Sequence, residues 1–425
     1  MNIFKKRKSL VFAVALVMAT SAFAQGTPRQ DSPEHHGMNP EKLAQVDRVI
    51  NDAITAKEIP GAVISVVRDG NIVYLKAYGD KSVVPTVEPM TTETLFDLAS
   101  VSKCVGTTLS FMQLIENGFV RLTDKVDRYI HDFKPWTDPE SGETVDITIR
   151  DLLTHTSGLT PYINADTFVK EYGSNNPDKM EWYIATKVKR NFRPGTDFMY
   201  SCLNFVTLQR ILERVTGEKL YEYAQKHVFD VLGLKHTCYF PLVYDPAVSN
   251  SAELAGLCAP TEVQADGKPL VAQVHDPMAR IIMGGNSGNA GVFSNAEDLS
   301  VICAAIMNGG ALKDRKGHTL ESTRILSPMT IRLMATIPPQ NVPSVGRALG
   351  WDKKSSHSGP RGDLFNPETT ILHTGYTGTS VMIDMESKTA VVLLTHRVHP
   401  EDKGGVGRLR ALVANIVAGS IIQNH

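Results

Sequence analysis

The sequence has few cysteines, and it lacks several patterns that mark metal and hydrolase sites. Its 5 cysteines form no Cys-x-x-Cys pair and its 13 histidines include no His-Glu-x-x-His, so neither a zinc site nor a disulfide scaffold is indicated. No Gly-x-Ser-x-Gly turn occurs, which argues against an α/β-hydrolase. We therefore expect no metal and no cofactor.

The sequence also lacks a large excess of positive or negative charge, and it lacks long apolar runs. The formal net charge is -1, so we expect no nucleic-acid partner. The 425 residues are 42% hydrophobic, which is enough for a large core. The apolar run at residues 10–18 is too short for a comfortable membrane span.

The N-terminus has the pattern of an export signal. Residues 5–8 are basic, residues 10–18 are apolar, and Ala22-Phe23-Ala24 has the small-x-small form of a cleavage site. We predict a signal peptide over residues 1–24 and a periplasmic or secreted protein. An uncleaved anchor is the alternative, and a lipid anchor is not supported because no cysteine follows the cleavage site.

The mature chain is predicted to be one sheet with a helical insertion. Two β-rich runs, residues 62–67 and 72–78, meet at Asp69-Gly70 and predict a hairpin. A second hairpin is predicted over residues 378–384 and 389–395, and a hairpin needs a larger sheet to be stable. The fold class is therefore α/β (α+β), with an antiparallel sheet assembled from both ends of the chain.

These patterns also give the domain boundaries. Residues 25–38 are polar and are predicted to be flexible. Residues 39–120 and 300–425 are predicted to form a discontinuous α/β sheet domain, and residues 121–299 a mainly helical lobe. Cys303 falls in an apolar stripe and is expected in the core, whereas His396 and His399 are expected in an exposed turn.

The stretch around Ser100 carries the chemistry. Ser100-x-x-Lys103 is the only Ser-x-x-Lys in the chain, and it opens an apolar pattern that recurs every three or four residues until Asn117-Gly118. The hydroxyl and the amine therefore share one helix face. A partly buried lysine loses its charge readily and could activate the serine. A serine that only caps a helix is the alternative.

Three later segments are candidates for the same site. Tyr200 follows a Pro-Gly turn, and its phenol could act as a base or be a satisfied core tyrosine. His373-Thr374-Gly375 is predicted to begin an edge strand whose amides could hold an acyl substrate, or to be a plain hairpin entry. The Gly/Asn-rich residues 284–291 could line a cleft or merely connect elements.

Three motifs occur in a fixed order along the chain: Ser100-x-x-Lys103, Tyr200-Ser201-Cys202 and His373-Thr374-Gly375. This order resembles the serine β-lactamase and penicillin-binding protein superfamily, most of all its class C β-lactamase and DD-peptidase branch. Residues 147–159, 291–299 and Leu349-Gly350-Trp351 also look like segments of that family. The resemblance implies a β-lactamase/transpeptidase-like fold.

The resemblance also implies roles for individual residues. Ser100 would be the acylated nucleophile, and Lys103 and Tyr200 would share the proton relay, with either one as the base. The backbone amides of Ser100 and Tyr376 would form the oxyanion hole, with His373 in the position where many relatives have lysine.

Two departures from the family pattern bear on the substrate. His373 in place of lysine gives less fixed positive charge at neutral pH, which puts efficient β-lactam turnover in doubt. Cys202 occupies the position of a substrate-binding Asn, and Asn204 should point elsewhere. If a substrate carboxylate is bound, Arg408 or Arg410 is a candidate, with a solvated arginine as the alternative.

Three functions are compatible with these features. The first is an exported acyl-serine hydrolase acting on D-amino-acid peptides or cell-wall amides, with weak β-lactam hydrolysis. The second is a carboxylesterase on the same scaffold, favoured by Cys202 and His373. The third is a non-catalytic wall-binding or sensing module. The expected partner is a peptide or small-molecule substrate, and the oligomeric state is left open.

Overall fold

The computed structural model describes residues 28–240 and 251–422, so the predicted signal peptide lies outside the described residues. The strands are β1 (Gly61–Arg68), β2 (Asn71–Ser82), β3 (Glu88–Pro89), β4 (Phe96–Asp97), β5 (Trp136–Thr137), β6 (Thr144–Val145), β7 (Cys238–Tyr239), β8 (Val292–Ser294), β9 (Thr370–Thr374), β10 (Ser380–Asp384) and β11 (Thr389–Thr395). The main sheet is antiparallel and has the order β3-β2-β1-β11-β10-β9. It takes strands from both ends of the chain, as predicted.

Along the chain, most helices lie between the N-terminal strands β1–β3 and the C-terminal strands β9–β11. The α-helices are α1 (Pro40–Leu43), α2 (Val46–Thr55), α3 (Leu109–Glu116), α4 (Ile149–Leu153), α5 (Ala165–Tyr172), α6 (Pro177–Thr186), α7 (Cys202–Thr216), α8 (Leu220–Ala224), α9 (Asp230–Leu232), α10 (Ser251–Leu257), α11 (Ala296–Met307), α12 (Pro328–Met334) and α13 (Gly407–Ser420). Every helix in the described part of the chain is too short or too polar to span a lipid bilayer.

The central strand β1 is buried on both faces because helices cover both sides of the sheet. Alternate side chains of a strand point to opposite faces. Ala62 and Ile64 accordingly join a core with α2 and α13, whereas Val63 and Val67 join the larger core that contains α11 and the helical lobe. The central pairing runs from Ala62 opposite Thr395 to Arg68 opposite Thr389. The α/β class with an antiparallel sheet is confirmed.

Two local predictions differ from the structure. Residues 28–38 were expected to be flexible, but they include a 3-10 turn at Pro33–His36, and Met38 is fully buried beside α13. His396 and His399 were expected in an exposed turn, but both are buried and their rings stack. In each case an apolar or aromatic surface from a distant segment covers the residue. Cys303 is buried, as expected.

Candidate active site

Ser100 lies in a tight 3-10 turn, Ala99–Val101, directly after β4. Ala99 has a positive φ of 45°, a strained conformation for a residue with a side chain. The Asp97 carboxylate holds this conformation, since it accepts hydrogen bonds from the Ala99 amide at 2.8 Å and the His275 amide at 2.7 Å. Burial raises the pKa of Asp97 to about 6. The turn fixes the position of the Ser100 hydroxyl.

The helix after Ser100 is less regular than the sequence pattern predicted. Lys103–Thr108 is a π-helix, and the α-helical part, α3, begins only at Leu109. The Thr108 hydroxyl donates to the Lys103 carbonyl at 2.7 Å, and a side chain at Gly106 would collide with Tyr239. The apolar periodicity is satisfied by both helix types, so it did not reveal the wider turn, a feature often found at functional sites.

Lys103 is fully buried and its amine has three partners. The Nζ atom lies 2.9 Å from Ser100 Oγ, 2.8 Å from the Asn289 carbonyl oxygen and 3.5 Å from Cys202 Sγ. The Ser-x-x-Lys spacing therefore does bring the hydroxyl and the amine into contact. Asn289 belongs to the glycine-rich segment 284–291, which thus lines the site and is more than a connection.

Tyr200 lies beside this pair. Its ring centroid is 5.1 Å from Lys103 Nζ and 4.4 Å from the ring centroid of His155, which packs on it. The Tyr200 hydroxyl is buried and makes no hydrogen bond of acceptable geometry within the described residues, although Ser100 and Lys103 are near enough to act on its pKa. His155 itself is held by the Ser201 amide and the Asn204 side chain, both at 3.1 Å.

Burial and the lysine charge set the protonation states. Burial raises the pKa of Tyr200, and the Lys103 ammonium only partly offsets this effect. Burial acts to lower the pKa of Lys103, but the Cys202 and Tyr200 groups act in the opposite direction and the net shift is upward. At neutral pH the resting pair is therefore an ammonium and a neutral phenol, which exchange protons as a coupled unit.

The His373-Thr374-Gly375 segment ends a strand, whereas the sequence predicted that it begins one. β9 ends at Thr374, at the edge of the sheet, and a turn carries the chain into β10. Glycines follow the motif closely, and the sequence pattern alone does not distinguish a strand entry from a strand exit. The His373 ring centroid lies 6.0 Å from that of Tyr200.

His373 is 3% exposed and neutral. Its Nδ1 lies 2.9 Å from the Thr374 carbonyl oxygen, to which it donates, so Nε2 is left as an acceptor without a partner in the described part of the chain. Burial, together with the charges of Arg347 and Lys103, holds the pKa of His373 well below its usual value of 6.5. His373 therefore supplies no positive charge at neutral pH.

The turn after β9 is fastened to the segment that precedes Ser100. The Thr377 hydroxyl donates to the Asp97 carbonyl at 2.7 Å, and the Thr379 hydroxyl donates to the Leu98 carbonyl at 2.9 Å. A side chain at Gly375 would come closer than 3.0 Å to Leu98 O and Thr379 Oγ1. Tyr376, the next residue, lines the same cavity as Ser100. The predicted oxyanion hole requires its backbone amide to face that cavity.

The reactive groups described above line a cavity of about 360 Å³ or lie directly behind its wall. The predicted site residues on its wall are Ser100, Tyr200, His373, Thr374, Gly375 and Tyr376. Lys103 and Cys202 lie immediately behind Ser100, where the amine reaches both the hydroxyl and the thiol. The Tyr376 ring is more than half exposed, with its hydroxyl donating to Asp402 at 2.6 Å.

Cys202 begins α7, and Asn204 points away from the cavity. The Asn204 side chain accepts from Ser157 at 2.5 Å and contacts His155 at 3.1 Å. Neither Cys202 nor Asn204 therefore offers a side-chain amide to the cavity. Burial raises the pKa of Cys202, so the thiol is protonated at neutral pH.

Three residues that contact or line the site were not among the predicted site residues: His155, Asn289 and Arg347. His155 and Asn289 lie in residues 147–159 and 284–291, two segments that the sequence had singled out. Their individual contacts, the stacking of His155 on Tyr200 and the backbone carbonyl of Asn289, are not visible in a side-chain motif. Arg347 lies two residues before Leu349-Gly350-Trp351, a segment that the resemblance had marked, and its burial could not be foreseen.

The two arginines named as carboxylate candidates have different environments. Arg408 is exposed at the start of α13. Arg410 lines the cavity, but its Nη2 atom donates to the Gly375 carbonyl at 3.0 Å and the Thr379 carbonyl at 2.8 Å. Arg410 therefore braces the turn after β9, and the alternative of a solvated arginine is wrong for this residue.

The sequence and the structure both have known relatives. A family model described as Beta-lactamase matches residues 46–415. A putative D-alanyl-D-alanine carboxypeptidase of Escherichia coli O157:H7 is 30% identical over 412 residues, which cover 92% of this chain and 91% of the relative. An N-acetylmuramyl-L-alanine amidase of Bacillus subtilis (strain 168) is 30% identical over 416 residues, with 92% and 90% covered.

Solved structures share the fold. EstCE1, described as a hydrolase with promiscuous acyltransferase activity, aligns with a TM-score of 0.67 and 24% identity over 89% of this chain and 99% of that chain. An octameric penicillin-binding protein homologue from Pyrococcus abyssi aligns with a TM-score of 0.66 and 21% identity, covering 89% of this chain and 78% of that chain. The resemblance seen in the sequence motifs is thus confirmed.

Proposed function

Because the chain belongs to the beta-lactamase family and is a serine hydrolase of that family, we propose that it is exported and hydrolyses D-amino-acid peptides or related cell-wall amides through an acyl-serine, with weak β-lactam hydrolysis. One observation carries this proposal: the Lys103 amine lies 2.9 Å from Ser100 Oγ on the wall of an open cavity. The names of the related carboxypeptidase and amidase support the class of substrate.

Acylation follows from this geometry. The Lys103–Tyr200 pair rests as an ammonium and a phenol, so it first loses one proton to solvent. Ser100 Oγ then attacks the substrate carbonyl carbon, and its proton passes to the pair, which protonates the leaving amine. The carbonyl oxygen becomes an oxyanion, which the Ser100 and Tyr376 amides stabilise. Water then attacks the acyl-serine, giving its proton to the same pair and releasing the acid and the Ser100 hydroxyl. No metal is required for these steps.

Ser100→Ala tests the proposal directly. The intact mass of the wild-type protein should rise by the acyl group after mixing with a D-Ala-D-Ala peptide, nitrocefin or p-nitrophenyl butyrate, and the variant should gain nothing. Ser174→Ala, at an exposed serine, should acylate like the wild type. Acylation of the Ser100→Ala protein at the wild-type rate would overturn the proposal.

A carboxylesterase is the second candidate function. Cys202 offers no side-chain amide to a peptide substrate, and the neutral His373 offers no fixed charge to a β-lactam carboxylate. An ester has a better leaving group than an amide and depends less on both contacts. The values of kcat/KM for p-nitrophenyl butyrate and for a D-Ala-D-Ala peptide decide between the two, and a strong preference for the peptide would exclude the esterase.

Export is the part of the proposal that depends on residues 1–24. Their basic start, apolar core and Ala22-Phe23-Ala24 support it. After expression in a bacterium, the full chain should be found in the periplasm or medium with a mature mass that starts near Gln25. Deletion of residues 1–24 should keep it in the cytoplasm. Retention of the uncut full chain in the cytoplasm would contradict export.

A further inference from the structure

The Tyr376 side chain is largely exposed, yet three neighbours hold it in place. Its ring is 57% exposed on the cavity wall. The hydroxyl donates to Asp402 at 2.6 Å, the Arg397 Cζ atom lies 4.6 Å from the ring centroid, and the His275 ring stacks on it with 5.9 Å between centroids and 21° between planes. Fixing an exposed side chain costs rotamer entropy, and burial of apolar surface offers little in return here.

The neighbours are also connected to one another. Arg397 donates to the Asp402 carboxylate at 2.7 Å and to two backbone carbonyls of the following loop at 3.3 and 3.4 Å. Burial acts to raise the pKa of Asp402, but the hydrogen bonds from Tyr376 and Arg397 outweigh it and the net shift is downward, so Asp402 is a carboxylate at neutral pH. We call His275, Arg397 and Asp402 the Tyr376 clamp.

The backbone amide is the part of Tyr376 that has no partner. Beside it, the Gly375 amide donates to the Thr379 carbonyl at 2.7 Å, and the Gly378 amide donates to the Gly375 carbonyl at 3.2 Å. The Tyr376 amide makes no hydrogen bond to the residues that the structure describes. An unbonded N–H is what an oxyanion donor needs. Because no hydrogen bond fixes this amide, its direction depends on how the rest of the residue is held.

His275 connects the clamp to the turn that carries the nucleophile. Its backbone amide donates to the Asp97 carboxylate at 2.7 Å, and the same carboxylate accepts from the Ala99 amide at 2.8 Å. Ala99 directly precedes Ser100. The residue that stacks on the Tyr376 ring therefore also supports the Ser100 turn, and it links the backbones of the two predicted oxyanion donors.

We propose that the clamp holds the Tyr376 amide at the distance from the Ser100 amide that a substrate oxyanion requires, so that its three members are positioning residues. This inference rests on the proposed function and deepens it by adding residues that set the rate of acylation. His275 and Asp402 lie outside the cavity lining and act through Tyr376. Their loss should slow the chemical step and leave binding of the uncharged ground state unchanged.

The double variant His275→Ala/Asp402→Ala removes the stacking ring and the hydroxyl acceptor but keeps Tyr376 and the cavity lining. In stopped-flow acylation by p-nitrophenyl butyrate, the maximal rate should fall about 10- to 100-fold, at most the loss of one oxyanion donor. The half-saturating concentration should stay within about 2-fold of the wild type. The inhibition constant of a trifluoromethyl ketone, whose serine adduct carries an oxyanion, should rise by the factor by which the rate falls.

Matched variants separate the clamp from general effects of substitution. His275→Phe keeps a ring that stacks on Tyr376, so it should acylate at the wild-type rate, whereas His275→Ala should be slower. Glu401→Ala, at an exposed carboxylate of the Asp402 loop, and His318→Ala, at an exposed histidine, should both match the wild type.

Three results would overturn the inference. The first is a wild-type acylation rate in the double variant. The second is a lower rate with an unchanged inhibition constant for the ketone, because the loss would then not lie in oxyanion binding. The third is a raised half-saturating concentration at an unchanged maximal rate, which would assign the clamp to substrate binding.

Urea titration shows whether the double variant is folded. If it is not, Asp402→Ala alone, at a side chain that is 25% exposed, is judged by the same criteria. Failure of the proposed function looks different, because Ser100 of the wild-type protein would then not be acylated even by p-nitrophenyl butyrate.

Discussion

The two sides of the cavity differ in how completely their polar groups are satisfied. On the nucleophile wall, formed by Ser100, Lys103 and Asn289, the lysine amine has three partners within 3.5 Å. On the recognition wall, formed by Arg347 and His373, three buried nitrogen atoms have no partner within the described residues.

This difference separates two tasks of an enzyme. Groups that perform the chemistry gain from being held in place before the substrate arrives, because no reorganisation is then needed in the transition state. Groups that bind a substrate can keep their donors and acceptors unpaired until the ligand supplies the partner. The Lys103 amine is therefore paired in the free protein, whereas the Tyr200 hydroxyl and the nitrogens of Arg347 and His373 have no partner in the described part of the chain.

Removal of the Lys103 amine should have the largest effect and would test whether the nucleophile wall is complete. Lys103→Met keeps the length and burial of the side chain but removes the proton acceptor, so the acylation rate should fall roughly 10³- to 10⁴-fold. Stopped-flow acylation by p-nitrophenyl butyrate measures the change. Lys189→Met, at an exposed lysine, is the control, and a loss of less than 10-fold at Lys103 would refute this assignment.

A side chain at Gly375 should move the turn after β9, which carries Tyr376, relative to Ser100. Ala at this position would collide with Leu98 O and Thr379 Oγ1 and push the Tyr376 amide away from Ser100. We expect a loss of about 100-fold in kcat, as for the loss of one oxyanion donor. Gly359→Ala meets nothing within 4 Å and serves as the control. Wild-type kcat in Gly375→Ala would show that the turn does not position a donor.

Acid should destabilise the packing around β4, the strand that precedes Ser100. His396 packs edge-on against Phe96 of β4, and burial lowers its pKa to about 3. The unfolded chain binds a proton at this position near pH 6.5, whereas the folded chain does not until about pH 3, so stability is lost as the pH falls through this window.

Between pH 7 and pH 5, the lowered pKa of His396 should reduce the free energy of unfolding by about 2 kcal/mol. His396→Gln should reduce the difference in unfolding free energy between pH 7 and pH 5 by about that amount, as measured by urea titration at each pH. His131→Gln, at an exposed histidine, should not change the difference. An unchanged pH dependence in His396→Gln would show that this group does not titrate as proposed.

The smallest effect is expected at Cys202, where an amide would extend the recognition wall. Cys202→Asn supplies a side-chain donor and acceptor at the start of α7, so kcat/KM for a peptide amide should rise about 10-fold relative to p-nitrophenyl butyrate. Cys202→Ala, which supplies neither, should leave the ratio of the two substrates unchanged. A fall in this ratio for Cys202→Asn would mean that the thiol itself favours amides.

Much of the fold and part of the site were predictable from the sequence. Hairpins are local, so the turn at Asp69-Gly70 and the alternation of the flanking residues were enough to predict β1 and β2. The contact between Ser100 and Lys103 is also local, because three residues of helix bring the two side chains together. The roles of Ser100, Lys103 and Tyr200 remain predictions until the variants are measured.

Other features depend on contacts between distant segments. The strain at Ala99, the carbonyl of Asn289 in the site and the stacking of His155 on Tyr200 leave no mark in the local pattern. The same is true of Arg347, since only the folded chain shows whether an arginine is solvated or buried with an unpaired edge.

The hairpins, the apolar faces and the contact of hydroxyl with amine could be predicted from local sequence, because each depends on backbone periodicity over a few residues. The protonation states in the cavity and the unpaired polar atoms on its wall depend instead on the folded chain. Burial and neighbouring charges set the protonation of His373 and Tyr200, and those surroundings come from segments that lie far apart in the chain.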